Sequence, residues 1–367
     1  MSKIEWTGET WNPVLGCSKV SAGCENCYAL RDSWRQAHHP KQVANYEGLT
    51  KKVGGKVQWT GKIRCIPDRL SKPLDEKKPT TYFVNSMSDL FHEGVPDEFI
   101  DQVFAVMALC PQHTFQILTK RPERMAEYFS GTGVAPRGIE CPTKNHVLNV
   151  ADRIAWRNFP RQFERLEQSV KNGAFKWPIP NVWLGVSVED QATADERIPH
   201  LLNTPAAVRF VSYEPALGPG DFALFLDGPR LAGKLADMIG GDVAAINDPC
   251  SKERLDWIIA GGESGPGARV CEIENIRSVV RQCRDAGVAV FVKQLGANPH
   301  YKKPNGRPLC MARKPCGHGD WARSVALEDH KGGNWDEWPE DLRVREMPKA
   351  AGRLLDGREH NGMPVTG

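Results

Sequence analysis

Asn181-Val182-Trp183-Leu184-Gly185-Val186, followed at once by Ser187-Val188-Glu189-Asp190, is the stretch that decides the fold. Its apolar residues do not alternate with polar ones. Both faces of the strand must therefore be covered, as in a parallel sheet flanked by helices. The same pattern recurs on either side. Upstream, Thr81-Tyr82-Phe83-Val84-Asn85 leads into Ser86-Met87-Ser88-Asp89, and Thr114-Phe115-Gln116-Ile117-Leu118 into Thr119-Lys120-Arg121-Pro122. Downstream, Val208-Arg209-Phe210-Val211 leads into Ser212-Tyr213-Glu214-Pro215, and Leu255-Asp256-Trp257-Ile258-Ile259 into Ala260-Gly261-Gly262-Glu263-Ser264-Gly265. The last run, Val288-Ala289-Val290-Phe291-Val292, leads into Lys293-Gln294-Leu295-Gly296. Helical periods fit between them, over 96–109 and over 273–286, where Gly287 supplies the stop. The alternation predicts an α/β fold. Polar residues gather at the C-terminal ends of these strands, where barrels and open sheets place their sites.

In 367 residues, 48 Lys and Arg face 45 Asp and Glu, which excludes coating of nucleic acid by bulk charge but not by a local basic groove. No apolar run is long enough for a membrane span, and residues 1–12 lack the pattern of a secretory signal. The expected location is a reducing cytoplasm, where 11 cysteines read as metal or catalytic sites rather than as disulfides. Three stretches stand apart: 131–180 and 222–252 as insertions, and 299–367 as an extension covering the mouth of a barrel domain that spans 1–298.

The densest chemical signal is Gly16-Cys17-Ser18-Lys19-Val20-Ser21-Ala22-Gly23-Cys24-Glu25-Asn26-Cys27-Tyr28, a C-x6-C-x2-C spacing. Residues 10–15 before it can form a strand, and residues 28–34 after it a helix. Three thiolates with an open fourth position suit a [4Fe–4S] cluster whose unique iron binds a small molecule. The alternatives are a zinc loop completed by His38, His39 or a distant cysteine, and buried thiols with no ligand. A second group, Cys310, Cys316 and His318, matches no established zinc spacing, and Cys271 and Cys283 read as core.

At these residues the chain resembles the radical S-adenosylmethionine (radical SAM) superfamily. The usual spacing there is C-x3-C-x2-C after the first strand of a partial (β/α)6-type TIM barrel; here the first gap is six residues. It is similar, more closely, to a phage-encoded group of radical-SAM-like proteins. That likeness rests on Trp11-Asn12-Pro13, Leu118-Thr119-Lys120-Arg121-Pro122, Gly185-Val186-Ser187-Val188-Glu189, Ser212-Tyr213-Glu214-Pro215, Gly261-Gly262-Glu263-Ser264-Gly265 and Lys293-Gln294. The resemblance implies that Cys17, Cys24 and Cys27 hold the cluster and that one electron cleaves S-adenosylmethionine to a 5′-deoxyadenosyl radical, which abstracts a hydrogen atom. Ser86, Ser88 and Asp89 stand where the family's Gly-Gly-Glu meets the SAM amino group. Ser187 and Glu189 stand where it meets ribose or carboxylate. Glu263, Glu214 and Lys293 are the candidate catalytic residues, with Lys120, Arg121 and Lys293 supplying positive charge to a carboxylate or phosphate.

For such phage proteins the resemblance implies DNA as partner, through thymidine hypermodification. The favoured step isomerises a glycyl–thymidine adduct from an N-linked to a Cα-linked form. A flavodoxin or ferredoxin would donate the electron, in the host cytoplasm. Trp156-Arg157-Asn158-Phe159-Pro160-Arg161 and His300-Tyr301-Lys302-Lys303 interleave aromatics with cations, as single strands and flipped bases require. The rival expectations are a radical SAM enzyme acting on a free nucleotide, a tRNA or a peptide; a zinc-stabilised nucleic-acid-binding protein without catalysis; and a lyase of the spore-photoproduct type.

Overall fold

The computed structural model describes residues 6–130, 147–153, 159–227, 254–265, 267–302, 308–310, 323–324, 354–355 and 358–364. The protein is a mixed α/β fold built on a seven-stranded sheet. Its strands are β1 (Glu9–Trp11), β2 (Thr81–Val84), β3 (Thr114–Thr119), β4 (Val182–Val188), β5 (Val208–Tyr213), β6 (Trp257–Gly261) and β7 (Ala289–Gln294). They lie in sequential order from β1 to β7, so each expected run is a strand. The helices used below are α1 (Tyr28–Ala37), α2 (Asp97–Leu109), α3 (Pro122–Ser130), α4 (Pro160–Lys171), α5 (Gln191–Leu202) and α6 (Ile273–Asp285). No helix among the described residues is long and apolar enough to cross a membrane.

The chain divides into two compact units, one of Met1–Val186, Arg197–Arg209 and Gly241–Lys252, the other of Ser187–Glu196, Phe210–Gly240 and Glu253–Gly367. The division thus runs through the expected 1–298 domain. In the first unit, β1, β2, β3 and β4 pair in parallel, with Trp11 opposite Val84, Val84 opposite Ile117 and Ile117 opposite Leu184. The expected strand over 10–15 is two pieces. Pro13 has no N–H to give a ladder, and Val14–Leu15 leaves the sheet to pair antiparallel with Arg64–Cys65. Helix α2 buries ten of its 13 residues, and its end is capped from a distance by Asn181, whose Nδ2 donates to the carbonyls of Met107, Cys110 and His113 at 3.3, 3.0 and 2.9 Å.

Arg209 does the same for α5. Its fully buried guanidinium donates to the carbonyl oxygens of Leu201, Thr204 and Ala206 at 3.2, 2.7 and 3.3 Å. A cation at a helix C-terminus offsets the partial negative charge of the last carbonyls.

In the second unit, β5, β6 and β7 pair in parallel, with Ile258 opposite Val211 and Val290. Helix α6 lays Ile276, Val279, Val280 and Cys283 on the buried side, at the spacing read from the sequence. Cys271 and Cys283 are both buried, as expected of core thiols. Two parts of the 299–367 stretch are placed by backbone pairing. Pro299–Lys302 pairs with Cys271–Glu272, and residues 360–362 run along the open edge of β7, with Val292 N donating to His360 O and Gly362 N to Val290 O, both at 2.9 Å. An unpaired strand edge invites association with other chains, and this segment covers it.

Two predictions follow from these contacts. Replacing Arg209 by Met leaves three buried carbonyls without their donor and lowers unfolding free energy by about 3 kcal/mol in a urea titration. Burial pushes the thiols of Cys110, Cys271 and Cys283 up from the ordinary 9.0 to about 12. A thiol held protonated by folding adds stability that is complete below its unfolded pKa and is lost as pH rises. The contribution of these thiols is therefore level up to about pH 9 and falls from there towards pH 12, and Cys283→Ala makes that fall in urea stability shallower.

Candidate functional site

The cysteine loop belongs to the first unit. Gly16 turns the chain at φ +90°, and a Cβ there would lie 2.2 Å from the Lys62 carbonyl oxygen, so only glycine fits. Cys17 follows it, Cys24 closes a short 3-10 turn, and Cys27 stands immediately before α1. All three thiols are half-buried. Burial pushes Cys17 up to about 12, Asp89 pushes further in the same direction, and Arg121 opposes both. Cys27 is also raised by burial, offset by the backbone N–H groups of Leu30 and Ala29 at the start of α1. Cys24 and Cys27 each disfavour the thiolate of Cys17, and Cys24 that of Cys27, a repulsion that a bound cation would remove. Among the described residues no three His, Cys, Asp or Glu side chains are grouped as a site for a metal ion.

Beside Cys17 lies a buried polar network that the sequence reading did not identify. Arg121 points Nη1 at Cys17 Sγ, 4.0 Å away, and at Asp89 Oδ2, 3.2 Å away. Its Nη2 donates to Ser18 Oγ at 2.7 Å and Ser18 O at 3.3 Å, and its Nε to Glu93 Oε1 at 3.0 Å. His92 completes the group, with Nε2 2.9 Å from Ser18 Oγ and Nδ1 accepting from Gly94 N at 3.0 Å. Burial and the Arg121 charge hold His92 below its ordinary pKa, which matches a neutral ring with its proton on Nε2.

The residues expected to meet the SAM amino group are here too, each tied to the chain. Ser86 Oγ donates to Asn12 Oδ1 at 3.1 Å, and Ser88 Oγ to Val14 O at 2.8 Å. Asp89 is buried. Its Oδ1 accepts from Thr119 Oγ1 and Phe91 N at 2.7 and 3.0 Å, and its Oδ2 from Lys120 N at 3.0 Å as well as from Arg121. The turn into this segment is made by Asn85 in the left-handed region, φ 60°, its side chain accepting from Val14 N.

The second unit holds the other expected residues. Lys293 and Glu214 come together: Nζ to Oε1 is 2.6 Å, with Gln294 Nε2 at 3.4 Å from the same oxygen. A Cβ at Gly261 would meet the Gln294 carbonyl oxygen at 3.2 Å and the Glu214 carboxylate at ordinary contact distance. Ser187, inside β4 rather than after it, donates from Oγ to Glu214 O at 3.4 Å. Glu189 is buried, and its backbone carbonyl accepts from Leu217 and Gly218. Glu263 does not join the pair's hydrogen bonds. Its two oxygens take Arg269 Nη2 at 2.6 Å and Nε at 3.0 Å, with Arg269 N at 2.9 Å, closing the glycine-rich loop on itself.

Other candidates are less fully described. Cys310 ends a strand paired with Pro299–Lys302, while Cys316, His318, Trp156, Arg157 and Lys303 lie outside the described residues. His38 and His39 are engaged at the end of α1, His38 Nδ1 lying 2.7 Å from Trp34 O and His39 Nδ1 accepting from Lys41 N.

What fold and site define is an α/β protein with a three-cysteine loop and polar strand ends. The family whose model matches residues 1–364 is described as "Protein of unknown function (DUF5131)", and the chain belongs to that family. Comparison with curated proteins and with solved structures finds no match.

The buried pair is testable by a double-mutant cycle. Arg121→Met strands the Asp89 carboxylate and lowers stability by about 3–5 kcal/mol. Asp89→Asn in the same chain recovers a large part of that loss, measured by urea unfolding.

Proposed function

We propose that the protein is a radical SAM enzyme acting on a modified DNA base. Cys17, Cys24 and Cys27 would hold a [4Fe–4S] cluster. The observation that carries this reading is the loop itself: three half-buried thiols between a strand and a helix start, with a buried guanidinium against the first of them. The donor set fits the group, since sulfur is the ligand such clusters take. When bound, the cluster and S-adenosylmethionine supply hydrogen-atom abstraction; the chain's own residues bind, orient and exclude water.

Their chemistry divides the work. Ser86 and Ser88 spend their protons on Asn12 and Val14, so their free lone pairs are acceptors, suited to an ammonium group such as that of S-adenosylmethionine. Asp89 already accepts four hydrogen bonds from the chain and acts by positioning Arg121 and Lys120. In the second unit, Ser187 and Glu189 are the further candidates for S-adenosylmethionine. Glu214 and Lys293 form a charged pair that offers both an acceptor and a cation to a zwitterionic amino-acid substituent. Glu263 acts there by fixing the loop through Arg269. The favoured substrate is a glycyl–thymidine adduct in DNA, isomerised to its Cα-linked form, with a flavodoxin or ferredoxin as electron donor in the cytoplasm; both rest on the resemblance to phage radical SAM proteins.

Anaerobic purification followed by iron, sulfide and zinc analysis tests this on the parent protein and on Cys24→Ala. The expected result is about four irons and four sulfides per chain, lost in the variant, and formation of 5′-deoxyadenosine under dithionite by the parent alone. One zinc and no sulfide overturns the reading.

A further inference from the structure

Residues 28–66 hold eight Lys and Arg against two Asp and Glu, a surplus of six, while the whole chain has a surplus of three. The rest of the chain is therefore net acidic, and the positive charge is concentrated in one segment of the first unit. That segment comprises α1, a hairpin of Thr50–Val53 and Lys56–Trp59, and a return through Arg64–Cys65. The hairpin turns at Gly54 and Gly55, both at positive φ, as a two-residue turn of the primed type requires.

Its register sorts the side chains. Lys51 lies opposite Gln58 and Val53 opposite Lys56, so these four share one face, and all four are exposed. The other face sets Thr50 against Trp59 and Lys52 against Val57, and Thr50, Val57 and Trp59 are half-buried. Arg31, Lys41 and Lys62 are exposed as well. Among the described residues none of Arg31, Lys41, Lys51, Lys52, Lys56 and Lys62 has a carboxylate partner, whereas Arg35 is paired with Asp32 and Lys19 with Glu25.

The segment is fastened to the cysteine loop. Trp59 packs on the same small core as Cys27, made by Leu15, Ala29, Tyr46, Leu49 and Met87. Leu15 pairs with Arg64, and the Lys62 carbonyl abuts Gly16 beside Cys17.

We propose that the hairpin and α1 form an arm that grips the phosphate backbone of double-stranded DNA and holds it at the cysteine loop; this rests on the reading of DNA as substrate. A protein partner would want an apolar, aromatic centre inside its polar rim. The exposed hairpin face offers two lysines, one glutamine and one valine. Surfaces that take a nucleic-acid backbone are instead polar and strongly positive, and two-stranded ribbons are among the elements that dock on duplexes. Each lysine that meets a phosphate releases condensed counterions, which drives binding and makes it salt-dependent.

The test titrates a fluorescent 20-base-pair duplex with the full chain between 50 and 200 mM salt. It compares the parent with a variant carrying Lys51→Gln and Lys56→Gln, whose melting temperature and bound iron are checked against the parent. The expected result is a loss of about tenfold or more in affinity at 0.1 M salt and a log–log salt slope shallower by about two. Unchanged affinity and slope overturn the proposal, as does a parent protein that fails to bind the duplex at 50 mM salt. A variant that binds DNA normally but accepts electrons more slowly from reduced flavodoxin also overturns it, and makes the arm a docking face for an acidic protein. The titration is repeated on protein stripped of iron. Lysine-dependent binding by a parent that never yields iron or sulfide sinks the radical chemistry and leaves the arm standing.

Discussion

The guanidinium of Arg121 sits out of water, with its side chain 6% exposed, and it cannot discard its charge. It must be met by acceptors, and these come from two segments far apart in sequence: Ser18 in the cysteine loop, and Asp89 and Glu93 after β2; Asp89 in turn accepts from Thr119 Oγ1 at the end of β3 and from Lys120 N. Satisfying one buried cation therefore fixes the loop that carries Cys17 against two strand ends. A neutral His92 closes the far side by holding Ser18. The placing of the first thiol draws on this network as well as on the turn at Gly16.

A small satellite core does for Cys27 what the ion pair does for Cys17. Leu15, Ala29, Tyr46 with Leu49, and Met87 come from four separate places between residues 15 and 87, and Cys27, Ala37, Trp59 and Ile66 pack around them. The basic segment 28–66 is thus one piece of packing with the cysteine loop. Burial of Trp59 and Tyr46 gives the exposed lysines a rigid base, because an isolated two-stranded hairpin is marginal in water.

In the second unit the same chemical types were resolved by distance along the chain. Glu263 found its cation six residues away in its own loop, a local pairing that shapes Gly262–Arg269. Glu214 found Lys293 across two strands of the sheet, 79 residues on. The first is a structural clasp. The second leaves a half-exposed charged pair with spare hydrogen-bonding capacity, which is what a ligand-binding group needs.

The sequence by itself determined six of the seven strands, the α/β class, the helical periods over 96–109 and 273–286, and the cysteine loop with its glycine. These depend on periodicity, on breaker residues and on adjacent side chains, all local properties. The pairing of Val14–Leu15 with Arg64–Cys65, the distal caps from Asn181 and Arg209, and the edge covering of β7 by residues 360–362 were decided by tertiary structure. So were the roles of Ser18, His92 and Arg121, because Ser18 and His92 stand 74 residues apart and nothing in either neighbourhood names the other. Which carboxylate meets which cation is settled by the cost of burying charge, and that cost exists only once the chain has folded.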